Sequence, residues 1–401
     1  MTIARHGASD DNLLLADRRV TMDSFRGGFR ATPYRWQDPK TIPPREFLYG
    51  RHFIRKMVSA TIAPGGTIKT SLGIVQALAM VTGRNLLHDR HADGRGILRV
   101  WLYNLEDPIE ELTRRIQAVC LHYGITPEEI GDRLFVDSGR DQELVLAAMH
   151  PKTGAIVAEP VMEKLIDELC SRNVDVLLVD PFISSHAVSE NDNVAIDMVV
   201  KAWGRIADQA NCSIDLTHHT RKLAGGEVTV ESSRGAKALT DAARSARVIN
   251  RMSEKEAEVA GVENARLYHR VFNDKANLAP PSDQSDWYKL ESIELGNGDN
   301  VGVVVQWKWP NPFDGMTVAD LDKVLVAIAA GDWKESSQAK NWAGVAVAEV
   351  LGLDLTDAAA KAKVKSLLRT WIANKALKIV RKLDESRHPR PFIVVGEGQR
   401  T

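Results

Sequence analysis

Residues 57 to 80, MVSATIAPGGTIKTSLGIVQALAM, constrain the fold of this chain more than any other stretch. A β-branched run, Val58 to Ile62, enters a Pro64-Gly65-Gly66 turn. Thr67, Ile68, Lys69, Thr70 and Ser71 follow, and then Leu72, Ile74, Val75, Leu78 and Ala79 at helical spacing. Strand, glycine turn, lysine-hydroxyl pair and helix, in that order, suit a nucleotide triphosphate. Main-chain N–H groups of the turn and helix start face the phosphates, the ammonium reaches the outer phosphates, and the Thr70 hydroxyl ligates Mg²⁺. Ala63 and Ile68 stand where the pattern G-x-x-x-x-G-K-[ST] has glycines. Ala63 is a mild change. Ile68 is the larger one, because glycine there lets the backbone pass the phosphates in a conformation that a β-branched residue resists. A strand, a turn and a core helix with an incidental lysine is the alternative, and the rest of the chain decides between them.

A chain of 401 residues predicts two domains and a tail. The net charge of −1 carries no global sign of nucleic acid, so any such signal has to be local. Cys120, Cys170 and Cys212 are far apart and lack metal spacing, which predicts a reduced cytoplasmic protein without a disulfide framework or zinc site. The start, MTIARHGASDD, has no secretory core, and no apolar run approaches membrane-spanning length. Residues 1 to 45, rich in Arg, Asp, Gly and Pro, read as an arm, flexible or draped over a neighbouring subunit.

Further along, Ile97 to Asn104 reads as a buried strand running into Leu105-Glu106-Asp107-Pro108, with a helix from Ile109 to His122. A carboxylate at the C-terminal edge of a strand beside the P-loop strand could orient and deprotonate an attacking water, and Glu106 is chosen over Asp107, one of the two being expected to cap the helix. Val174 to Val179 is a buried parallel strand ending in Asp180, placed to hold Mg²⁺. Cys212 to Leu216 is the next strand, with His218 and His219 at its tip as candidate γ-phosphate sensors. The segment after it, Lys222 to Ser233, reads as a mobile loop suited to touching DNA, and Arg234 and Lys237 open a helical stretch ending at Arg244. Strand-like runs from Arg266, Trp287 and Val301 complete a parallel sheet wrapped by helices, with an antiparallel extension.

Six segments in this order, APGGTIKTS, NLEDP, LLVDP, THHTRK, SRGAKALTDAAR and NDKANLAPP, make the chain resemble RecA-type ATPases, specifically the plasmid RepA-like hexameric helicases, over about Tyr49 to Trp309. The resemblance implies ATP and Mg²⁺ as cofactors, Lys69 and Thr70 as phosphate and metal residues, Glu106 as general base and Asp180 as second metal partner. It implies His218 or His219 as sensor, Arg244 as an arginine finger acting in the neighbouring subunit's site, and Lys275 reaching across the same interface.

From Thr317 the composition changes. Helices over Val318–Ile328, Lys340–Leu351 and Ala359–Asn374 and a hairpin of Ala376–Val380 with Phe392–Val395 predict a winged-helix layout. Its third helix and hairpin carry Lys361, Lys365, Arg369, Lys378, Arg381 and Lys382 against only Asp384 and Glu385, a footprint for DNA together with Lys222 and Arg234, the alternative being a protein-docking module whose basic residues are only solvated. The expected divisions are therefore 1–45, 46–312 and 313–401. The favoured function is an ATP-driven ring acting on DNA during replication of a plasmid, phage or mobile element. The alternative is a DNA-binding regulator whose degenerate pocket is inactive.

Overall fold

The computed structural model describes residues 31–89, 96–220, 228–229, 237–279, 285–383 and 387–397. The chain divides after Arg45 into two units. In the first, the described residues 31–45 are exposed and carry one short turn, Pro39–Thr41, capped by the Asp38 side chain.

The second unit is built on a nine-stranded sheet, of order β13-β12-β11-β10-β3-β9-β8-β4-β5. Six of these strands are parallel: β3 (Val58–Pro64), β4 (Val100–Asn104), β5 (Leu134–Ser138), β8 (Val176–Asp180), β9 (Ser213–Thr220) and β10 (Ser245–Arg251). Antiparallel strands β11 (Tyr268–Ala276), β12 (Asp286–Glu294) and β13 (Asn300–Trp307) extend one edge. Strand β4 is buried at every residue, as a strand covered on both faces must be. Two small hairpins, β1 (Phe47–Tyr49) with β2 (Phe53–Ile54) and β6 (Ala147–His150) with β7 (Gly154–Val157), lie outside the main sheet.

Helices α1 (Lys69–Thr82) and α2 (Ile109–Tyr123) cover one face, where Leu72, Leu78, Ile116 and Val119 pack with Val303 of β13. Because β13 and α2 also lie against α1, that helix is apolar nearly all round, and it ends at Gly83 with φ 69°. Helices α3 (Glu159–Ser171), α4 (Asn193–Gln209) and α5 (Lys237–Ala242) cover the other face through Leu165, Trp203, Ile206 and Leu239. The parallel sheet, its helical layers and the antiparallel extension match expectation. Strand β10, which lies directly beside the P-loop strand, has no counterpart in the sequence reading.

After α6 (Glu254–Ala260) and the extension come α7 (Val318–Ala329), β14 (Trp333–Lys334), α8 (Ala343–Leu351), α9 (Ala358–Ala373), β15 (Leu377–Leu383) and β16 (Pro389–Val395). The three helices pack Val324, Val347, Leu367 and Trp371 against Leu377 and Ile393. The sheet has three strands, not two, because Trp333 and Lys334 pair with Ile393 and Phe392. The expected boundary between 312 and 313 falls inside one compact unit, residues 46 to 401. Helix α9 lies hard against the end of α6, where a Cβ on Gly261 would sit 2.6 Å from the Ala359 Cα.

Candidate nucleotide site

The turn after β3 puts Gly65 and Gly66 at an exposed tip, Gly66 at φ 70°, where glycine is at ease. The Pro64 carbonyl accepts from Thr67 Oγ1 at 3.0 Å and from Lys69 Nζ at 3.0 Å. Ile68 has φ −82° and ψ 14°, open to any L-residue, and its side chain is buried in the core under α1. The conformational objection to isoleucine at this place is thereby removed. Ser71 follows in the first turn of α1, half-buried.

Helix α1 starts at the loop with its first turn over β8, where a Cβ on Gly73 would lie 3.4 Å from the Leu178 side chain. Thr70 Oγ1 donates to Asp180 Oδ2 at 2.5 Å, and Leu105 N, just beyond β4, donates to the Asp180 carbonyl at 2.8 Å. Glu106 therefore stands one strand away from Asp180. It does not stand beside the P-loop strand as expected, because β9 and β8 lie between β3 and β4. Neither Glu106 nor Asp107 caps α2, whose N-cap is Pro108 without a side-chain bond. Asn104 Oδ1 accepts from both of their N–H groups, at 3.0 and 2.7 Å, and Asp107 pairs with Arg115 at 3.3 Å. Asn104 thus sets the turn that displays Glu106, a role invisible in the sequence.

Burial lowers Lys69 to about 8, against the pull of the Asp180 and Glu106 carboxylates. Burial raises Asp180, against the Thr70 hydroxyl and the Lys69 charge. An anion beside Lys69 and a cation beside Asp180 would each offset that burial, and a metal-bound polyphosphate would bring both. The hydroxyl of Thr70 and the carboxylate of Asp180 are the hard oxygen donors that Mg²⁺ accepts, with phosphate oxygens and water completing its shell. Among the described residues no cluster of three or more His, Cys, Asp or Glu could hold a metal alone.

The register Ile62↔His218 and Ala63↔His219 brings both histidines level with the loop. Alternation along β9 puts exposed His219 on the face of Thr217, which lines one cavity with Lys69, Thr70 and Asp180. His218 turns to the opposite face, buried near Phe182, with Nδ1 4.0 Å from Glu190 Oε1. Burial lowers His219, with the Lys69 charge adding to it. Burial likewise lowers His218 to about 4, helped by His219, His186 and Lys69.

Beneath the loop lies a buried polar network that the sequence reading missed. Asp215 accepts from Thr61 Oγ1 at 2.7 Å and Ser59 Oγ at 3.1 Å, and lies 2.9 Å from His52 Nε2. Arg247 donates to Thr61 Oγ1 and to Gln76 Oε1 of α1, both at 2.8 Å, and approaches Asp215 to 3.6 Å. Burial alone would raise Asp215; His52, Arg247 and the Thr61 hydroxyl reverse the sign and hold it at about 2. The network ties the helix that starts with Lys69 to three central strands.

Arg244 and Lys275 are not in this crevice. Ser245 lies opposite Ser59, so Arg244 is at the start of β3, the far end from the loop. Its N–H is held by the Val58 carbonyl at 2.9 Å while its side chain is exposed. Lys275, expected to reach across a subunit interface, has its Nζ donating to the Thr240 and Asp241 carbonyls, both at 2.8 Å, at the end of α5. A cation on those orphan carbonyls fixes the helix end that precedes Arg244.

The expected DNA-binding cations divide. Lys222 and Arg234 lie outside the described residues. Lys361, Arg369 and Arg381 are exposed. Lys365 pairs with Glu258 of α6, Lys378 with Glu397 and Lys382 with Asp332, each at 2.8 Å. The basic footprint is smaller than expected, because acids from α6, the α7–β14 turn and the chain beyond β16 oppose it. No helix among the described residues is long and apolar enough to cross a membrane.

Residues 26–225 match the family model AAA_25, described as an AAA domain. Among solved structures, the chain is similar to the RadB recombinase at 13% identity and a TM-score of 0.39, covering 64% of this chain and 93% of that one. The family match and the shared crevice of Lys69, Thr70 and Asp180 support a RecA-type P-loop ATPase.

Proposed function

We propose that the chain is an ATP-hydrolysing motor that assembles into a ring, hexameric by its resemblance to the RepA-like helicases, and acts on DNA as a replicative helicase of a plasmid, phage or mobile element. The observation that carries the hydrolytic part is the Thr70–Asp180 hydrogen bond, with Glu106 one strand further on. Lys69 neutralises the outer phosphates, Mg²⁺ when bound offsets charge on the leaving phosphates, and Glu106 takes the proton of the attacking water. His219, on the face of the cavity, senses the γ-phosphate and passes its presence to the chain after Thr220. The order helix, strand, two helices and two strands from α7 to β16 supports the winged-helix reading, and exposed Lys361, Arg369 and Arg381 support DNA as its partner. The second reading, a regulator with an inactive pocket, drew on Ile68, whose ordinary backbone angles remove that support.

The test is the Glu106→Gln variant, which keeps the turn but accepts no proton. Turnover is expected to fall by about 10²–10⁴ while ATP binding persists, with single-stranded DNA stimulating the parent. A Glu106→Gln chain that turns over like the parent moves the base elsewhere. A parent that hydrolyses ATP but ignores DNA removes the motor and leaves an ATPase.

A further inference from the structure

Strand β13 runs out at Trp307, and Trp309 beyond it is the exposed end of an aromatic stack. Its ring lies 5.1 Å from that of Trp287, tilted by 54°, and 5.6 Å from that of Trp307, edge-on. Tyr268 packs on Trp307 in turn at 5.0 Å. Held by two indoles, Trp309 is still 38% exposed. Beside it opens a cavity of about 650 Å³, lined by Trp309 and Pro312 from the segment after β13, by Val259 of α6 and by Ala359 and Ala362 of α9. Neither wall is loose, since the ring is fixed by its stack and α9 is pressed against Gly261 at the end of α6. A preformed cavity of this size, with one flat apolar ring and few polar groups, suits a small planar ligand.

Three charged side chains line the cavity. Lys363 donates from Nζ to the Asp314 carbonyl at 2.8 Å, and Asp357 is taken up as the cap of α9, accepting from the Ala359 and Ala360 N–H groups. Asp314 has Oδ1 bonded to Asn311 Nδ2 at 2.9 Å. Two carboxylates against one ammonium make the interior unfit for a phosphate but fit for the edge of a neutral ring that carries N–H donors. Exposed Lys308 and Lys361, neither of which lines the cavity, keep positive charge outside it. We propose that the cavity takes one unstacked base of single-stranded DNA, laid on the Trp309 ring with its amino group donating to Asp314 and its phosphates left outside. The inference rests on the DNA reading above. Stacking on an indole tolerates every base, whereas the carboxylate selects for an exocyclic amino group, cytosine over thymine. Because the ring is already fixed, little side-chain freedom is lost on binding.

The test is fluorescence anisotropy of labelled oligo(dC), oligo(dT) and a duplex of the same length, titrated at pH 8 with the full chain and with Trp309→Ala, Ala359→Leu and Asp314→Asn. Ala359→Leu fills the cavity from an exposed helix position and leaves the aromatic stack intact. The parent is expected to bind oligo(dC) about tenfold tighter than oligo(dT). Trp309→Ala and Ala359→Leu are each expected to weaken oligo(dC) by about tenfold while leaving the duplex unchanged, and Asp314→Asn to level the two homopolymers. If the parent binds single strands and both Trp309→Ala and Ala359→Leu match it, the base site is overturned while the DNA reading stands. An equal loss for single strand and duplex also overturns it, making Trp309 a support for the C-terminal helices. A parent that binds oligo(dC) and oligo(dT) alike removes Asp314 from the site. A parent that binds no DNA at all ends the DNA reading and this inference with it.

Discussion

An Arg244→Ala chain is expected to lose about 10³-fold or more of its ATP turnover while keeping its ATP affinity. One distance and one anchorage on the fold argue for this split. Strand β3 runs from Val58 to Pro64, and at about 3.3 Å per residue that separates Arg244 from its own loop by roughly 20 Å, beyond the reach of an arginine side chain. Yet its backbone is fixed from both sides: its N–H bonds to Val58 and its carbonyl accepts from Asn277 N at 3.2 Å. An exposed guanidinium on a rigid footing is what the proposed finger for a neighbour's site requires. Mixing Arg244→Ala with Lys69→Ala chains is expected to restore part of the activity, since some interfaces then pair an intact loop with an intact finger. Equal loss of affinity and turnover in Arg244→Ala would place the residue in its own subunit's site, and unchanged turnover would end its assignment as a finger.

The largest effect on stability is expected from Asp215→Asn. The substitution leaves the Arg247 guanidinium buried without its carboxylate, and breaking a buried pair in this way costs about 3–5 kcal/mol. Replacing both residues by apolar ones of similar size is expected to recover much of the loss, because it removes two desolvated charges together. The pH dependence has a definite sign. Asp215 is lowered from 3.8 to about 2 in the fold, so its contribution is fully present above the unfolded-state value and is lost as pH falls through about 2. Urea unfolding of the parent, Asp215→Asn and the double variant, repeated at neutral and acid pH, measures both effects. An Asp215→Asn chain as stable as the parent would mean that Arg247 finds full compensation elsewhere.

The same network explains what the sequence left hidden. The run from Ser245 to Arg251 is the strand beside β3, but Arg247 in its middle is buried and breaks the apolar pattern by which buried strands are read. Strand β9 continues to Thr220 for a similar reason: Thr217, His218 and Thr220 are buried polar residues. Where burial and apolarity coincide, as at Val176–Val179 before Asp180, strand and carboxylate were both legible. Lateral order was not. Nothing in the composition of β4 says that β8 and β9 would insert between it and β3, so Glu106 was placed beside the wrong strand. The basic C-terminal surface was overread because Glu258 and Asp332, its opposing acids, lie 107 and 50 positions away in the chain from their partners Lys365 and Lys382.

The most direct measurement is titration of Mg·ATP into the parent chain at pH 7 and pH 9 and into Lys69→Ala at pH 7. Burial leaves Lys69 at about 8 in the free protein; phosphate contact would restore it toward its ordinary value, so binding at pH 9 takes up a proton and affinity falls by about tenfold from pH 7. The expected result is saturable binding by the parent, weaker at pH 9, and loss of about a hundredfold or more in Lys69→Ala. Equal affinity in the parent and Lys69→Ala, or no binding by the parent at either pH, would contradict a triphosphate site between Lys69 and Asp180.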